Sequence, residues 1–222
     1  MLCEERKEEL IELTRALVAR RSESGHEAEA AGALERYMRS SGFDQVTVDE
    51  FGSVIGKIAG NRPGPRLLFD GHLDTVPVAD PAAWTHDPYG CEIVEGRMYG
   101  RGTSDMKGAL SAMLAAAGWF AQDCGGDFAG EIYVAGVVHE ECFEGVAARE
   151  ISACVKPDYV IIGEASQLNI KIGQRGRGEI VVETFGVPDH SANPEKGVNA
   201  VYSMCRVIEE IRRLEPTHHD VL

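Results

Sequence analysis

A chain of 222 residues has room for one large core or two modest domains, and 44% hydrophobic with 26% charged residues is a globular composition, not a disordered or fibrous one. The formal net charge of −14 argues against a nucleic-acid binder, because no basic patch survives that excess of carboxylate. Charges fill the N-terminal stretch MLCEERKEELIEL where a signal peptide needs an apolar run, and no stretch nears eighteen uninterrupted apolar residues, so the expectation is a cytoplasmic protein without a membrane partner.

Apolar residues at Leu10, Ile11, Leu13, Leu17 and Val18 predict a helix from Glu4 to Arg20, broken by Ser22-Glu23-Ser24-Gly25. A second helix is expected from His26 to Ser41, stopped by Gly42. Val46–Val48 and Ser53–Ala59 read as strands about the turn Phe51-Gly52, and 60–65 reads as a loop. The stretch LLFDGHLDTVP, Leu67 to Pro77, reads as a buried central strand that delivers His72 and Asp74 at its C-terminal end. Strand alternation puts both side chains on one face, where a carboxylate can hydrogen-bond the back nitrogen of a metal-binding imidazole. Taken alone, His-x-Asp is equally a polar strand end that meets water.

An irregular stretch follows from 78 to 101, and an alanine-rich helix from Gly108 to Gln122 places Asp105 at a helix entrance. The strand Glu131–Val138 ends in His139-Glu140-Glu141, a helix runs from Glu144 to Cys154, and the strand Asp158–Gly163 is capped by Glu164. Three apolar strands alternating with helices predict an α/β fold, and in open α/β sheets ligands bind outside the strand C-termini. Beyond Ser166 the pattern changes: strands at Ile170–Ile172 and Glu179–Phe185, a loop carrying His190, and an amphipathic helix from Lys196 to Leu214 open a second domain. The expected boundary gives a metal-binding domain over 1–168 and part of a smaller α+β domain over 169–222. The six cysteines are scattered without a C-x-x-C pair and read as reduced, mostly buried thiols.

A hydrolytic two-metal centre needs imidazole and oxygen ligands, one carboxylate able to bridge, and a separate carboxylate to accept a proton from water. The chain supplies His72, Asp105, Glu140-Glu141 and Glu164. An adjacent glutamate pair alone could equally be a solvated acidic loop.

The succession GHLDTVP, GRGTSDMKG, HEE, IGEAS and DHSANPEKGVNA resembles the co-catalytic metallopeptidases that include acetylornithine deacetylase, succinyl-diaminopimelate desuccinylase, carboxypeptidase G-like enzymes and aminoacylase. Gln174-Arg175-Gly176-Arg177 followed by the His190 loop is most similar to the YgeY-like branch. The resemblance covers residues from about 8 to the end, and it implies a zinc-exopeptidase-like mixed sheet flanked by helices, with a lid and dimerisation domain. It implies His72, Asp105 and Glu164 as ligands of one divalent ion, Asp105 as the bridge, and Glu141 as a ligand of the second. Asp74 would orient His72, Glu140 would be the general base, and His190 would stabilise an oxyanion, often across a dimer. Zinc is the expected ion, with cobalt or manganese as alternatives. The implied substrate is an N-acyl amino acid or short peptide with a free carboxylate.

In such relatives the chain returns from the lid to supply a last metal-ligating histidine. Here the second ion would have Asp105, Glu141 and no histidine, since His218 and His219 follow a lid helix. The alternative expectation is therefore a catalytically incompetent fragment that acts only by binding or dimerising.

Overall fold

Strand β3 (Arg62–His72) is the longest strand, and its neighbours decide where the chemistry lies. The computed structural model describes residues 2–143, 145–174 and 176–215. Its five-stranded sheet has the order β1 (Gln45–Val48), β2 (Val54–Ala59), β6 (Ala129–Val137), β3 and β7 (Tyr159–Ile162). Strands β1, β2 and β6 run antiparallel, whereas β6, β3 and β7 run parallel. The sheet is therefore mixed, with its parallel half next to the site.

Register sets the site. His72 lies opposite Val137 on β6, and Asp70 lies opposite Ile162 on β7. Parallel strands in step finish at the same edge, so the residues immediately after Val137 and Ile162 emerge beside His72. The middle of the sheet is β6, so β3 is not the central strand that its apolar run suggested. The segment expected as a loop at 60–65 is also partly strand: Arg62 pairs with Ala129, and a register shift between Arg62 and Arg66 absorbs the intervening prolines and glycine.

Helices cover both faces. Helix α1 (Glu4–Val18) buries Leu13, Leu17 and Val18, α2 (Ala28–Ser40) buries Ala30, Leu34 and Met38, and α3 (Gly108–Cys124) buries Leu110, Leu114 and Trp119. They pack with Val54, Ile58, Leu73 and Val134 into one core. Helix α4 (Val146–Val155) closes the opposite face through Ala147, Ile151 and Val155 against Leu68, Ala135 and Val137. At roughly 1.5–3 kcal/mol per fully buried aliphatic side chain, these faces supply the main driving force for folding. Gly71 allows the close packing next to His72, because a Cβ there would lie 2.7 Å from the Met106 methyl.

The stretch read as irregular contains a hairpin, β4 (Glu92–Val94) and β5 (Arg97–Tyr99). Its two-residue turn, Glu95-Gly96, has both φ angles positive, the geometry that matches strand twist. Four of the six cysteines, Cys3, Cys142, Cys154 and Cys205, are exposed, and only Cys91 is fully buried. The expectation of mostly buried thiols fails because these four sit at a terminus, in a loop or on outward helix faces.

The chain divides into two units, Met1–Leu168 and Asn169–Leu222. In the second, α5 (Ala200–Arg212) is capped by the Asn199 side chain, which accepts from the Val201 and Tyr202 amides. It begins later than the expected Lys196 because Pro194–Lys196 forms a tight 3₁₀ turn instead. The strands expected at 170–172 and 179–185 do not form. Ile170, Ile172 and Ile180 are at least 87% exposed; a β-prone run without a neighbouring strand has no ladder to join. The only bridge in this unit joins Val187 to Val198 among the described residues.

Candidate metal centre

The end of β3 carries His72, which is 2% exposed and has Nε2 pointing at acidic side chains. Its Nε2 lies 3.1 Å from Asp105 Oδ1 and 3.7 Å from Glu164 Oε1. One ligand atom each from His72, Asp105 and Glu141 fall within 4.8 Å of one another. The carboxylates of Asp105 and Glu164 are half exposed, so the group opens to solvent while its imidazole is anchored in the fold.

Each carboxylate arrives on a different segment. Asp105 stands on the irregular turn Thr103–Lys107, entered through Gly102 at φ 83°, and its peptide bond to Met106 is cis. A Cβ on Gly102 would also meet the Thr75 methyl at 2.8 Å, so this turn needs glycine twice over. Glu140 and Glu141 follow β6, and Glu164 follows β7.

Asp74 is fully buried and makes the densest set of contacts in the site. Its main-chain carbonyl, not its carboxylate, accepts from His72 Nδ1 at 2.8 Å; the carboxylate lies 3.6 Å from that nitrogen. This fixes the ring so that Nε2 faces Asp105. The carboxylate instead accepts from the Ser24 hydroxyl at 2.7 Å, the Glu140 amide at 3.1 Å and the Glu141 amide at 3.0 Å. The expected carboxylate-to-imidazole hydrogen bond is thus replaced by a carbonyl one, because the Asp74 side chain is engaged by the Glu140-Glu141 turn.

The electrostatics follow from this crowding. Burial raises the Asp74 carboxyl, but the His72 imidazole 3.6 Å away and the hydrogen bonds from Ser24 and the two amides outweigh it and carry the value down to about 2. Burial alone would lower the His72 imidazole, yet its hydrogen bonds to Asp74 and the nearby Glu164 charge push it up to about 10. Glu140 is raised to about 6, first by burial and then by Glu164, Glu141 and Asp74, with His72 opposing. Glu141 is raised too, again mainly by burial. A buried imidazole ringed by carboxylates that repel one another is a donor set that a divalent cation relieves, and its mixture of one nitrogen and several hard oxygens suits zinc, manganese or cobalt.

His190 belongs to the second unit. It is exposed, and its Nδ1 accepts from the Ala192 amide at 3.2 Å, which leaves the proton of the neutral ring on Nε2. His218 and His219 lie outside the described residues.

Several contributors escaped the sequence reading. Ser24 sits in the expected helix break, and Asp70, a carboxylate pushed up to about 6 by burial, sits within the apolar run of the strand that bears His72. Glu27, 5% exposed, accepts from the His139 amide and so braces the turn before Glu140. Lys107, 1% exposed, donates to the Leu17 and Arg20 carbonyls. A lysine inside the apolar run Met106 to Leu110 was the one available signal.

The fold and this site together define an α/β protein with a His/carboxylate group at the C-terminal edge of its parallel strands. The family model for Peptidase family M20/M25/M40 matches residues 68–220, and the chain belongs to that family. It is 34% identical over 220 residues to the YgeY protein of Escherichia coli (strain K12), covering 96% of this chain and 54% of that protein. It is 37% identical over 212 residues to succinyl-diaminopimelate desuccinylase 1 of Ruegeria sp. (strain TM1040), covering 90% and 55%. Its fold matches the M20 family metallo-carboxypeptidase Sso-CP2 from Sulfolobus solfataricus with a TM-score of 0.69 at 22% identity, over 93% of this chain and 49% of that one. The chain spans about half the length of the relatives it matches. Among the described residues no helix is long and apolar enough to cross a membrane.

Proposed function

We propose that this chain carries the metal-binding part of a hydrolase that cleaves amide bonds in N-acyl amino acids or short peptides. The observation that supports the reading best is the convergence of His72 Nε2, Glu141 and Glu164, which follow or end three parallel strands, with Asp105 from the turn Thr103–Lys107. His72, Asp105 and Glu164 would hold one divalent ion and Asp105 with Glu141 a second, zinc being the expected metal. When bound, such ions supply Lewis acidity that polarises the scissile carbonyl and acidifies a water.

The chain's own residues divide the remaining work. Glu140, raised to about 6, would accept a proton from the attacking water and return it to the leaving amine, a task that needs a group near neutral pKa. Asp74 would hold Glu140 and Glu141 through their amides and His72 through its carbonyl. His190, with its Nε2 proton available, would donate to the developing oxyanion, and residues 169–222 would form part of a lid through which two subunits pair.

A second reading, metal binding without turnover, is favoured by the donor count: among the described residues a single imidazole, His72, faces the group. Elemental analysis after dialysis tests the metal centre common to both readings. The unaltered chain is expected to retain at least one equivalent of divalent metal and His72→Ala none; equal metal in the two would sink the assignment. Release of free amine from an N-acyl amino acid separates the two readings.

A further inference from the structure

Asp105 stands on an irregular turn that meets the His72 strand by packing, Met106 against Gly71 and Gly102 against Thr75. Among the described residues, the hydrogen bond between His72 and Asp105 is the only one that joins segment 71–75 to segment 102–107. That contact links two groups that would share an ion, and the apolar packing beside it is non-directional, so directional anchoring of the turn comes from a third element.

The segment that ends α1 does so. Toward β3, the Ser22 hydroxyl donates to the Leu73 carbonyl at 2.8 Å, the Thr75 amide donates to the Ser22 carbonyl at 2.9 Å, and Ser24 reaches Asp74. Toward the Asp105 turn, the Lys107 ammonium donates to the Leu17 and Arg20 carbonyls, both at 2.9 Å. The Lys107 amide closes the same turn on the Gly102 carbonyl at 2.8 Å. These carbonyls lie at and just past the C-terminal end of α1, where backbone acceptors and the helix dipole favour a cation. Burying an ammonium costs several kcal/mol, and an apolar side chain of equal length would fill the space without that cost. What the lysine adds is direction: two acceptors fix Nζ, and the chain then fixes Asp105 two residues away.

We propose that Lys107 is a positioning residue that sets the His72–Asp105 separation by tying the Asp105 turn to the end of α1. The inference rests on the reading of this group as a metal centre. Lys107→Met keeps the length and removes the donors. In the full 222-residue chain, its Kd for Co2+ is expected to rise about 10- to 100-fold, and the visible absorption of bound Co2+ to change shape. Lys107→Gln, which keeps a neutral donor on a shorter side chain, should fall between and carries the test if the methionine variant does not fold. Ile58→Ala, a core change in β2, is the control for lost stability and should leave the Co2+ spectrum unaltered. An unchanged Kd and spectrum in the Lys107 variants would overturn the proposal, as would an equal change in Ile58→Ala. Failure of the unaltered chain to bind Co2+ would instead overturn the metal-centre reading, and this inference with it.

Discussion

The Glu141 amide donates to the Asp74 carboxylate at 3.0 Å, so the turn that carries a proposed ligand is held by the strand that carries His72. Asp74 is the point at which two of the converging segments are joined. Removing its charge should therefore loosen the fold as well as the site.

That effect has a definite pH dependence. Asp74 titrates near 2 in the folded chain against about 3.9 when unfolded. A depressed carboxyl contributes stability above its unfolded value and loses it as pH falls through the folded one, so the contribution, about 2 kcal/mol, should disappear between about pH 4 and pH 2. Urea unfolding of the metal-free chain and of Asp74→Asn across that range checks this. The two stability curves should converge toward pH 2, and a constant gap would assign the loss to packing.

Metal uptake should release protons. In the metal-free chain the His72 imidazole is pushed up to about 10, so it is protonated at neutral pH, whereas a ligand must present a bare nitrogen. Affinity should then rise with pH through the neutral range. Calorimetric titration with Zn2+ in phosphate and in Tris should give enthalpies that differ with the buffers' heats of ionisation. Identical enthalpies would argue against His72 as a ligand.

Glu140 and Glu141 should separate by assay. In a preparation that hydrolyses an N-acyl amino acid, Glu140→Gln is expected to lower kcat by about 10²- to 10⁴-fold while retaining metal, because proton transfer and metal retention are separate tasks. Glu141→Gln should lose the second ion. The reverse pattern would exchange the two roles.

What could be read from the sequence follows a physical division. The three parallel strands and their charged ends were legible because an apolar run that terminates in His or Glu is a local pattern, and the chain order places those ends on one edge. The tertiary contacts were not. Nothing local tells that the Asp74 carboxylate turns to the Glu140 and Glu141 amides, or that Ser24, fifty residues away, reaches it. Lys107 escaped because a lysine at a helix start usually faces solvent, and only the end of α1 supplies its acceptors. The strands expected at 170–172 and 179–185 failed for the opposite reason: their local pattern is β-like, but a strand exists only beside a partner.

His190 gives the last test. Its loop is shaped by Pro188 and Pro194, and its Nδ1 is engaged by the Ala192 amide, so a neutral ring presents Nε2–H outward from an exposed position with no packing role. A donor that meets an oxyanion acts mainly in the transition state, so His190→Ala should lower kcat by about 10²- to 10³-fold with little change in KM. If the site is shared between subunits, mixing His190→Ala with Glu140→Ala should restore part of the activity, since one site in a mixed dimer would then have both an intact base and an intact donor. Recovery in a confirmed mixed dimer would assign His190 to its neighbour's site. No recovery would confine its action to its own chain or remove it from the chemistry.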